Sequence, residues 1–268
     1  MATITLMTDF GLKDGNVGVM KGVIAGIAPQ AQVVDLSHLI SPQNIAEACL
    51  ILARSAPYFP DGAIHVVVVD PGVGTARRSM AARLGNQFYV GPDNGIVTML
   101  LERLEMQGEP STFFHLNQPD FWLPQVSHVF HGRDIFAPVA AHLATGVPLH
   151  DLGTPFGEPV RLKLARPEQT ASGLRGEVIH IDHFGNVATN IRIEDLPGDQ
   201  QVSTSLGGVT IEGMVKTFGE RPPGTLIALF GSTGNLILAR VNGSAAEQLQ
   251  IALGDPVEVT LGFRDRDQ

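Results

Sequence analysis

Asp70 ends a run of apolar, β-branched residues and stands directly before a glycine-rich turn that leads to Arg77. Four consecutive valines, residues 66–69, predict a strand that is buried on both faces, and the proline and glycines after Asp70 predict the turn. Ligands of open α/β sheets bind at the carboxyl ends of the strands. Asp70 and Arg77 therefore either create a local field that acts on a ligand or form an ion pair that only fixes the loop.

His131 is the candidate for proton transfer. It follows Phe130 and precedes a Gly-Arg-Asp turn at the start of a predicted helix. It is either a loop or capping histidine or a group that titrates near neutral pH. If Asp70, Arg77 and His131 meet at one sheet edge they could activate a water, because one group holds it, one supplies positive charge and one moves a proton.

Two further segments could bind a ligand. Asp9 follows the first predicted strand and is either a turn-forming residue or an acceptor for a ribose hydroxyl. Residues 180–186, His-Ile-Asp-His-Phe-Gly-Asn, invite a metal interpretation, but no partner at a usual metal-binding spacing accompanies them. Asp182 and Asn186 around a Phe-Gly turn instead favour hydrogen bonds to a polar organic ligand on which Phe184 stacks.

The glycine motifs of phosphate binding are missing from the sequence. The turn at residues 231–235, Gly-Ser-Thr-Gly-Asn, offers hydroxyls and backbone amides, but the chain has no Walker-type loop and no Gly-x-Gly-x-x-Gly after a strand. A phosphorylated cofactor is therefore not expected. A metal is not expected either, because residues 180–186 have no partner at a metal-binding spacing.

Composition excludes several classes of protein. Of 268 residues, 44% are hydrophobic and 17% charged, so a substantial core is expected. The net charge of −9 argues against a nucleic-acid or anionic-membrane binder. The single cysteine, Cys49, excludes an intrachain disulfide framework and a cysteine-rich zinc site. No signal peptide and no apolar run of roughly 20 residues is visible, so a cytoplasmic location is expected.

Strand and helix patterns alternate in residues 1–168, which predicts an α/β domain with a mostly parallel sheet and flanking helices. One helix is expected to begin at an N-cap Ser41 and to end near Arg54. The predicted strands are Ile4–Met7, Gln32–Leu36, Ile64–Asp70 and Phe88–Gly91, and the other helices cover Val17–Ile27, Ile96–Arg103 and the segment after Asp134.

The pattern changes after a predicted linker, Arg161–Gly176. Residues 169–268 contain short apolar segments between glycine and proline turns, which predicts a small antiparallel barrel or sandwich. The predicted strands are Val178–Asp182, Val187–Ile193, Val202–Leu206, Val209–Ile211, Leu226–Phe230, Leu236–Val241 and Val257–Leu261.

Together, five motifs resemble those of the S-adenosylmethionine (SAM) hydroxide adenosyltransferases, a family related to the SAM-dependent fluorinase and chlorinase. Each motif is weak alone, but their order and the α/β-then-β layout are specific, and the resemblance spans nearly the whole chain. The motifs are Thr8–Gly11 (TDFG), Asp70–Thr75 (DPGVGT), Gly91–Gly95 (GPDNG), Phe130–Asp134 (FHGRD) and Asp182–Asn186 (DHFGN).

The resemblance implies a homotrimer of two-domain subunits, with SAM bound between the N-terminal domain of one subunit and the C-terminal domain of the next. It implies that SAM is the substrate, without a cofactor, and that adenosine and L-methionine are released. It implies that Asp70, Arg77 and His131 activate water. The substrate-binding residues it implies are Asp9 for the ribose hydroxyls, Asp182 and Ser232 for the methionine amine and carboxylate, Asn186 and Phe218 for the adenine, with Phe130 and Phe184 as further contacts.

Attack on the ribose C5′ is chemically reasonable, because the sulfonium makes methionine a good leaving group and the step needs positioning more than a strong acid. Either His131 or Asp70 could accept the proton, and the residues leave that choice open. Two alternatives are a SAM or adenosine-binding protein with little turnover and a SAM-dependent halogenase. Halogenation is disfavoured because Val73 and Gly132 stand where the halogenases carry hydroxyls, and because Asp70 is anionic.

Overall fold

The structure is a computed structural model that describes residues 1–196 and 201–262. The chain divides into two compact units, Met1–Leu162 and Lys163–Gln268. The division into domains at residue 168 stays a prediction. Part of the predicted linker Arg161–Gly176 is wrong, because residues 168–170 and 173–176 belong to paired strands.

The first unit contains a mixed sheet of seven strands. They are β1 (Thr3–Thr8), β2 (Gln32–Ser37), β3 (Ile64–Val68), β4 (Ser79–Leu84), β5 (Gln87–Pro92), β6 (Ser111–Leu116) and β7 (Gly153–Phe156). Their order in the sheet is β2-β1-β3-β5-β4-β6-β7. The pairs of β1 with β2 and β3, and of β3 with β5, are parallel, whereas β4, β6 and β7 join the sheet antiparallel. The α/β class is confirmed, and the sheet is mixed where it was expected to be mostly parallel.

Helices cover both faces of this sheet. They are α1 (Asn16–Ile27), α2 (Ile45–Ser55), α3 (Thr98–Gln107) and α4 (Ala137–Ala144). The apolar residues of α1 and α4 pack in one core with Val66 and Val68, and those of α2 and α3 pack in a second core with Val67 and Val69. Alternate side chains of a strand point to opposite faces, so the valine run supplies both cores, as predicted.

The start of α2 differs from the prediction. Asn44, not Ser41, is the N-cap, and its side chain accepts a hydrogen bond from the Glu47 backbone N–H at 3.0 Å. Gln43 has a φ of 63°, which is not a right-handed helical conformation, so the helix cannot begin before this residue. Residues 41–43 therefore form a loop, and that loop reaches the candidate site described below.

The second unit is an antiparallel sheet of eight strands, which confirms the predicted all-β class. β9 is long enough to pair with β15 along its first half and with β10 along its second. The short helix α5 (Ala245–Leu249) was not predicted, because five residues are too few to show a helical period. The strands are β8 (Glu168–Thr170), β9 (Gly173–Ile181), β10 (Val187–Arg192), β11 (Gln201–Leu206), β12 (Val209–Glu212), β13 (Leu226–Phe230), β14 (Asn235–Arg240) and β15 (Pro256–Gly262).

Among the described residues, no helix combines the length and the apolar character that crossing a membrane would require.

Candidate active site

Asp70 lies just beyond β3, on a loop that two contacts fix. The Asn94 side chain donates to the Val69 carbonyl at 2.9 Å, and the Asp70 carbonyl accepts the Val73 N–H at 3.1 Å. Gly74 has a φ of 75°, and a Cβ there would collide with the His128 carbonyl. Glycine thus lets the Asp70 loop lie against the segment that precedes His131.

Arg77 forms a forked ion pair with Asp70. Its Nε lies 2.9 Å and 3.1 Å from the two carboxylate oxygens, and its Nη2 also contacts Oδ2. The Asp70 and Arg77 side chains are only 4% and 10% exposed, so solvent screens this pair weakly. Nη1 donates to the Ser79 hydroxyl at 2.8 Å, and the guanidinium lies 5.4 Å from the centre of the Phe136 ring.

His131 completes this cluster. It directly precedes a single π-helical turn, Gly132–Phe136, that leads into α4, and such turns are frequent at functional sites. His131 Nδ1 lies 2.9 Å from Arg77 Nη2. Burial and then the charge of Arg77 lower the pKa of His131 below its usual 6.5, which favours the neutral imidazole. The structure therefore brings Asp70, Arg77 and His131 together, and we call them the Asp-Arg-His cluster.

A cavity of about 270 Å³ opens beside this cluster. It contains the predicted residues Asp9 and Phe130 as well as Asp70 and His131, whereas Arg77 contacts two of the lining residues without lining the cavity itself. The full lining is Asp9, Phe10, Gln43, Val68, Asp70, Pro71, Val73, Val129, Phe130, His131 and Gly132.

Asp9 is held at the cavity by a contact that the sequence did not reveal. Its Oδ2 accepts the Gln43 backbone N–H at 2.8 Å. A carboxylate has about four lone-pair positions, so Asp9 keeps capacity for a ligand hydroxyl. Phe10 packs edge-on against Phe130 at 5.6 Å between ring centres, and Arg133 lies 5.1 Å from the Phe130 ring. The cavity therefore combines aromatic walls with two carboxylates.

Four residues of this region were missed by sequence reasoning: Phe10, Gln43, Ser79 and Phe136. Phe10 follows Asp9 and Ser79 lies two residues after Arg77, so adjacency to a candidate was the available signal. Gln43 gave no such signal, because only the loop before α2 brings its backbone to Asp9.

The candidates of the second unit fall on separate turns. Asp182 accepts three hydrogen bonds within its own turn, from the Phe184 N–H, the Asn186 N–H and the Asn186 side-chain amide, at 2.8–2.9 Å. Phe184 is 74% exposed. Ser232 is exposed in the turn between β13 and β14, and Phe218 begins a short 3₁₀ turn and is 44% exposed. Ligand binding by these residues stays a prediction.

Across residues 1–196 and 201–262, no three His, Cys, Asp or Glu side chains are grouped as a metal site would need. Cys49 is buried, and burial raises the pKa of its thiol to about 11, so it is not a ready nucleophile.

Comparisons with known proteins agree along the length of the chain. Residues 4–153 match the SAM hydroxide adenosyltransferase N-terminal domain, and residues 176–258 match the C-terminal domain of the same family. A protein of Salinispora arenicola named (R)-S-adenosyl-L-methionine hydrolase is 42% identical over 97% of this chain and 98% of its own length.

A solved structure and a more distant relative extend this comparison. An uncharacterized conserved protein from Thermotoga maritima has a TM-score of 0.86 and 35% identity, covering 96% of this chain and 99% of its own. A Nocardia brasiliensis protein named fluorinase is 28% identical over 97% of both chains.

Proposed function

Because this chain belongs to the SAM hydroxide adenosyltransferase family, we propose that it hydrolyses SAM to adenosine and L-methionine. The observation that carries the proposal is the Asp-Arg-His cluster at the edge of the cavity. The names of the relatives that share about two fifths of its residues support the same reaction.

The proposed reaction is a displacement at the ribose C5′. A water oxygen forms the new C5′–O bond while the C5′–S bond breaks, and the electron pair of that bond stays on sulfur as methionine leaves. The water loses one proton to a base in the site and then to solvent. Arg77 favours a hydroxide-like nucleophile through its charge, and either Asp70 or His131 could take the proton.

We assign the ribose diol to Asp9, because its carboxylate lines the same cavity as Asp70 and His131 and retains free lone pairs. Phe130 supplies an apolar wall for the adenosyl group. Substitution of Asp9 by Asn should therefore raise KM for SAM more than it lowers kcat, since the carboxylate binds both ground and transition states.

We further propose that Asp182, Phe184, Asn186, Phe218 and Ser232 contribute to SAM binding and that the chain forms a homotrimer. Support comes from the match of residues 176–258 to the C-terminal domain of the family and from the exposure of Phe184 and Phe218, which are apolar side chains left uncovered. Sedimentation together with activity at decreasing protein concentration tests this, because a site shared between copies loses activity as the copies separate.

Halogenation is the competing reaction, and the lining of the cavity disfavours it. A halide beside the Asp70 carboxylate meets like charge, and Val73 and Gly132 offer no hydroxyl to bind it. A binding protein without turnover is the second alternative.

One product analysis separates these functions. Purified protein is incubated with SAM, with and without chloride or fluoride, and products are separated by chromatography. Hydrolysis predicts adenosine and methionine in equal amounts regardless of halide. A 5′-halo-5′-deoxyadenosine that forms only with halide would show a halogenase, and bound SAM recovered intact would show a binding protein.

A further inference from the structure

All three guanidinium nitrogens of Arg77 are engaged. Nε donates to Asp70, Nη1 donates to the Ser79 hydroxyl at 2.8 Å, and Nη2 contacts both Asp70 Oδ2 and His131 Nδ1. The guanidinium is therefore fixed from several sides, and its Nη2 points at the imidazole. A guanidinium only donates hydrogen bonds, because it has no available lone pair and stays protonated.

This contact determines which nitrogen of His131 carries the proton. Nδ1, at 2.9 Å from Arg77 Nη2, must accept and so has no hydrogen. A neutral imidazole carries one ring proton, which must then be on Nε2, and an imidazolium could not accept at all. Burial and the Arg77 charge lower the pKa of His131, in agreement with a neutral ring.

Nε2 is then the nitrogen that can meet a ligand. His131 lines the cavity together with Asp70, and its Nε2 has no hydrogen-bond partner within the described chain. In this tautomer Nε2 presents an N–H, not a lone pair. A base needs a lone pair at the atom that faces the water, so the geometry removes His131 from that role.

We propose that His131 is a hydrogen-bond donor that holds the attacking water through Nε2–H, and that Asp70 is the proton acceptor. This inference rests on the proposed hydrolysis of SAM. The water oxygen accepts from His131 and donates one O–H to Asp70, which leaves its second lone pair free to form the C5′–O bond. As the C5′–S bond breaks toward sulfur, the proton passes to the Asp70 carboxylate and then to solvent.

The tautomer can be measured without any turnover. Protein labelled with ¹⁵N in its histidines is studied by long-range ¹H–¹⁵N correlation near neutral pH, and the His131 signals are identified by their loss in His131→Gln. We expect a protonated Nε2 and an unprotonated Nδ1. A protonated Nδ1, or a charged ring at that pH, would overturn the inference.

Kinetics test the role itself. The amide of His131→Gln can donate an N–H but cannot act as a base, whereas His131→Ala can do neither. We expect kcat of the Gln variant to exceed that of the Ala variant by about tenfold or more, because only the Gln amide can donate a hydrogen bond to the attacking water. Equal kcat values for the two variants would contradict a donor role.

The matched control is His150→Gln, because His150 is exposed and lies outside the cavity. Its kcat should equal that of the wild type. Failure of the proposed function looks different from failure of this inference. If SAM is not the substrate, the wild-type protein releases no adenosine, whichever tautomer of His131 is measured. If hydrolysis occurs but Nδ1 is protonated or Gln is as slow as Ala, only the role of His131 is wrong.

Discussion

Two consecutive arginines pair with two buried aspartates, with different consequences. Arg77 pairs with Asp70 and contacts His131, whereas Arg78 pairs with Asp93 at 2.7 Å. The Asp70 and Asp93 side chains are almost equally buried, at 4% and 1% exposed. Burial alone therefore does not distinguish the carboxylate that is proposed to react from the one that pairs with Arg78.

The difference lies in what else binds each carboxylate. Asp93 also accepts the Val160 backbone N–H at 2.7 Å, and Arg78 donates to the Glu158 carbonyl and stacks on the Phe156 ring at 4.4 Å. We call this set the anchor cluster, because it ties residues 156–160 to the loop after β5. In the part of the chain that is described, Asp70 accepts side-chain bonds from Arg77 alone and faces the cavity. Its remaining lone pairs are available to a ligand.

The largest effect is expected for Asp70→Asn. Loss of the proposed proton acceptor should lower kcat by about a hundredfold or more, the usual contribution of general base catalysis. Adenosine release under saturating SAM measures it. Asp93→Asn should keep kcat per folded molecule near wild type, and equal losses in the two variants would show that both carboxylates act only on the structure.

Arg78→Met should mainly lower stability. It leaves Asp93 buried without its cation, which typically costs 3–5 kcal/mol, and the 40% exposure of Arg78 places the expected loss near 3 kcal/mol. Urea unfolding followed by the fluorescence of Trp122, the single tryptophan, reports on the first unit. The exposed Lys13→Met is the control. An unfolding midpoint unchanged in Arg78→Met would refute the anchoring role.

Ser79→Ala tests whether the orientation of Arg77 matters. The variant removes the acceptor of Nη1, a bond to a charged donor that contributes about 1.5 kcal/mol, so kcat should fall about tenfold. KM should stay constant because Ser79 does not line the cavity. Ser205→Ala removes an exposed hydroxyl contact in the second unit and serves as control. If KM rises while kcat stays constant, Ser79 affects binding instead.

The smallest effect concerns pH. The groups around His131 are Arg77 and His128, which lower its pKa, and Asp70 and Asp134, which raise it, and with burial the net shift is downward from 6.5. The neutral ring should thus persist as pH falls below 6.5. The value of kcat/KM should decline only as the pH passes through the lowered pKa, because a proton on Nδ1 removes the acceptor of Arg77 Nη2 and breaks the contact that holds the ring. A decline centred at or above 6.5 would contradict this, and His131→Gln should remove the decline.

The same shift links His131 to stability. Below pH 6.5 the unfolded chain takes up a proton at this residue before the folded chain does. The contribution of His131 to the free energy of unfolding is therefore complete above pH 6.5. It is lost as the pH falls through the pKa of His131 in the folded state.

Much of the fold could be predicted because local patterns specify it. The valine run identified β3, and helical spacing identified α1. β4 was missed because its sequence, Ser-Met-Ala-Ala-Arg-Leu, has little intrinsic strand preference and is held by pairing with β5 and β6. The N-cap of α2 was misplaced because both Ser41 and Asn44 are common N-cap residue types. Gln43 has a positive φ, so the helix begins only after it, and Asn44 is the N-cap.

The candidate site was predictable to a similar extent. Short motifs with ionisable side chains next to glycine turns identified Asp70, Arg77 and His131 as candidates. The structure brings these three side chains together. Ser79 and Gln43 carry no such signal, because a hydroxyl or a backbone amide acts only through the neighbour it meets. The choice between Asp70 and His131 as base also could not be made, since a ring nitrogen's role depends on the atom facing it.

The amino-acid sequence by itself therefore determined the family, the two classes of structure and a carboxylate at the end of a buried strand. Only the tertiary structure decided that Arg78 pairs with Asp93 and that Arg77 contacts His131 as well as Asp70. Adjacent residues leading into β4 point to opposite sides, so the order of the strands around them determines that Arg77 meets Asp70 and His131 while Arg78 meets Asp93. The contacts of Arg77 with His131 and of Arg78 with Asp93 join residues 54 and 15 positions apart, and no local sequence pattern contains them.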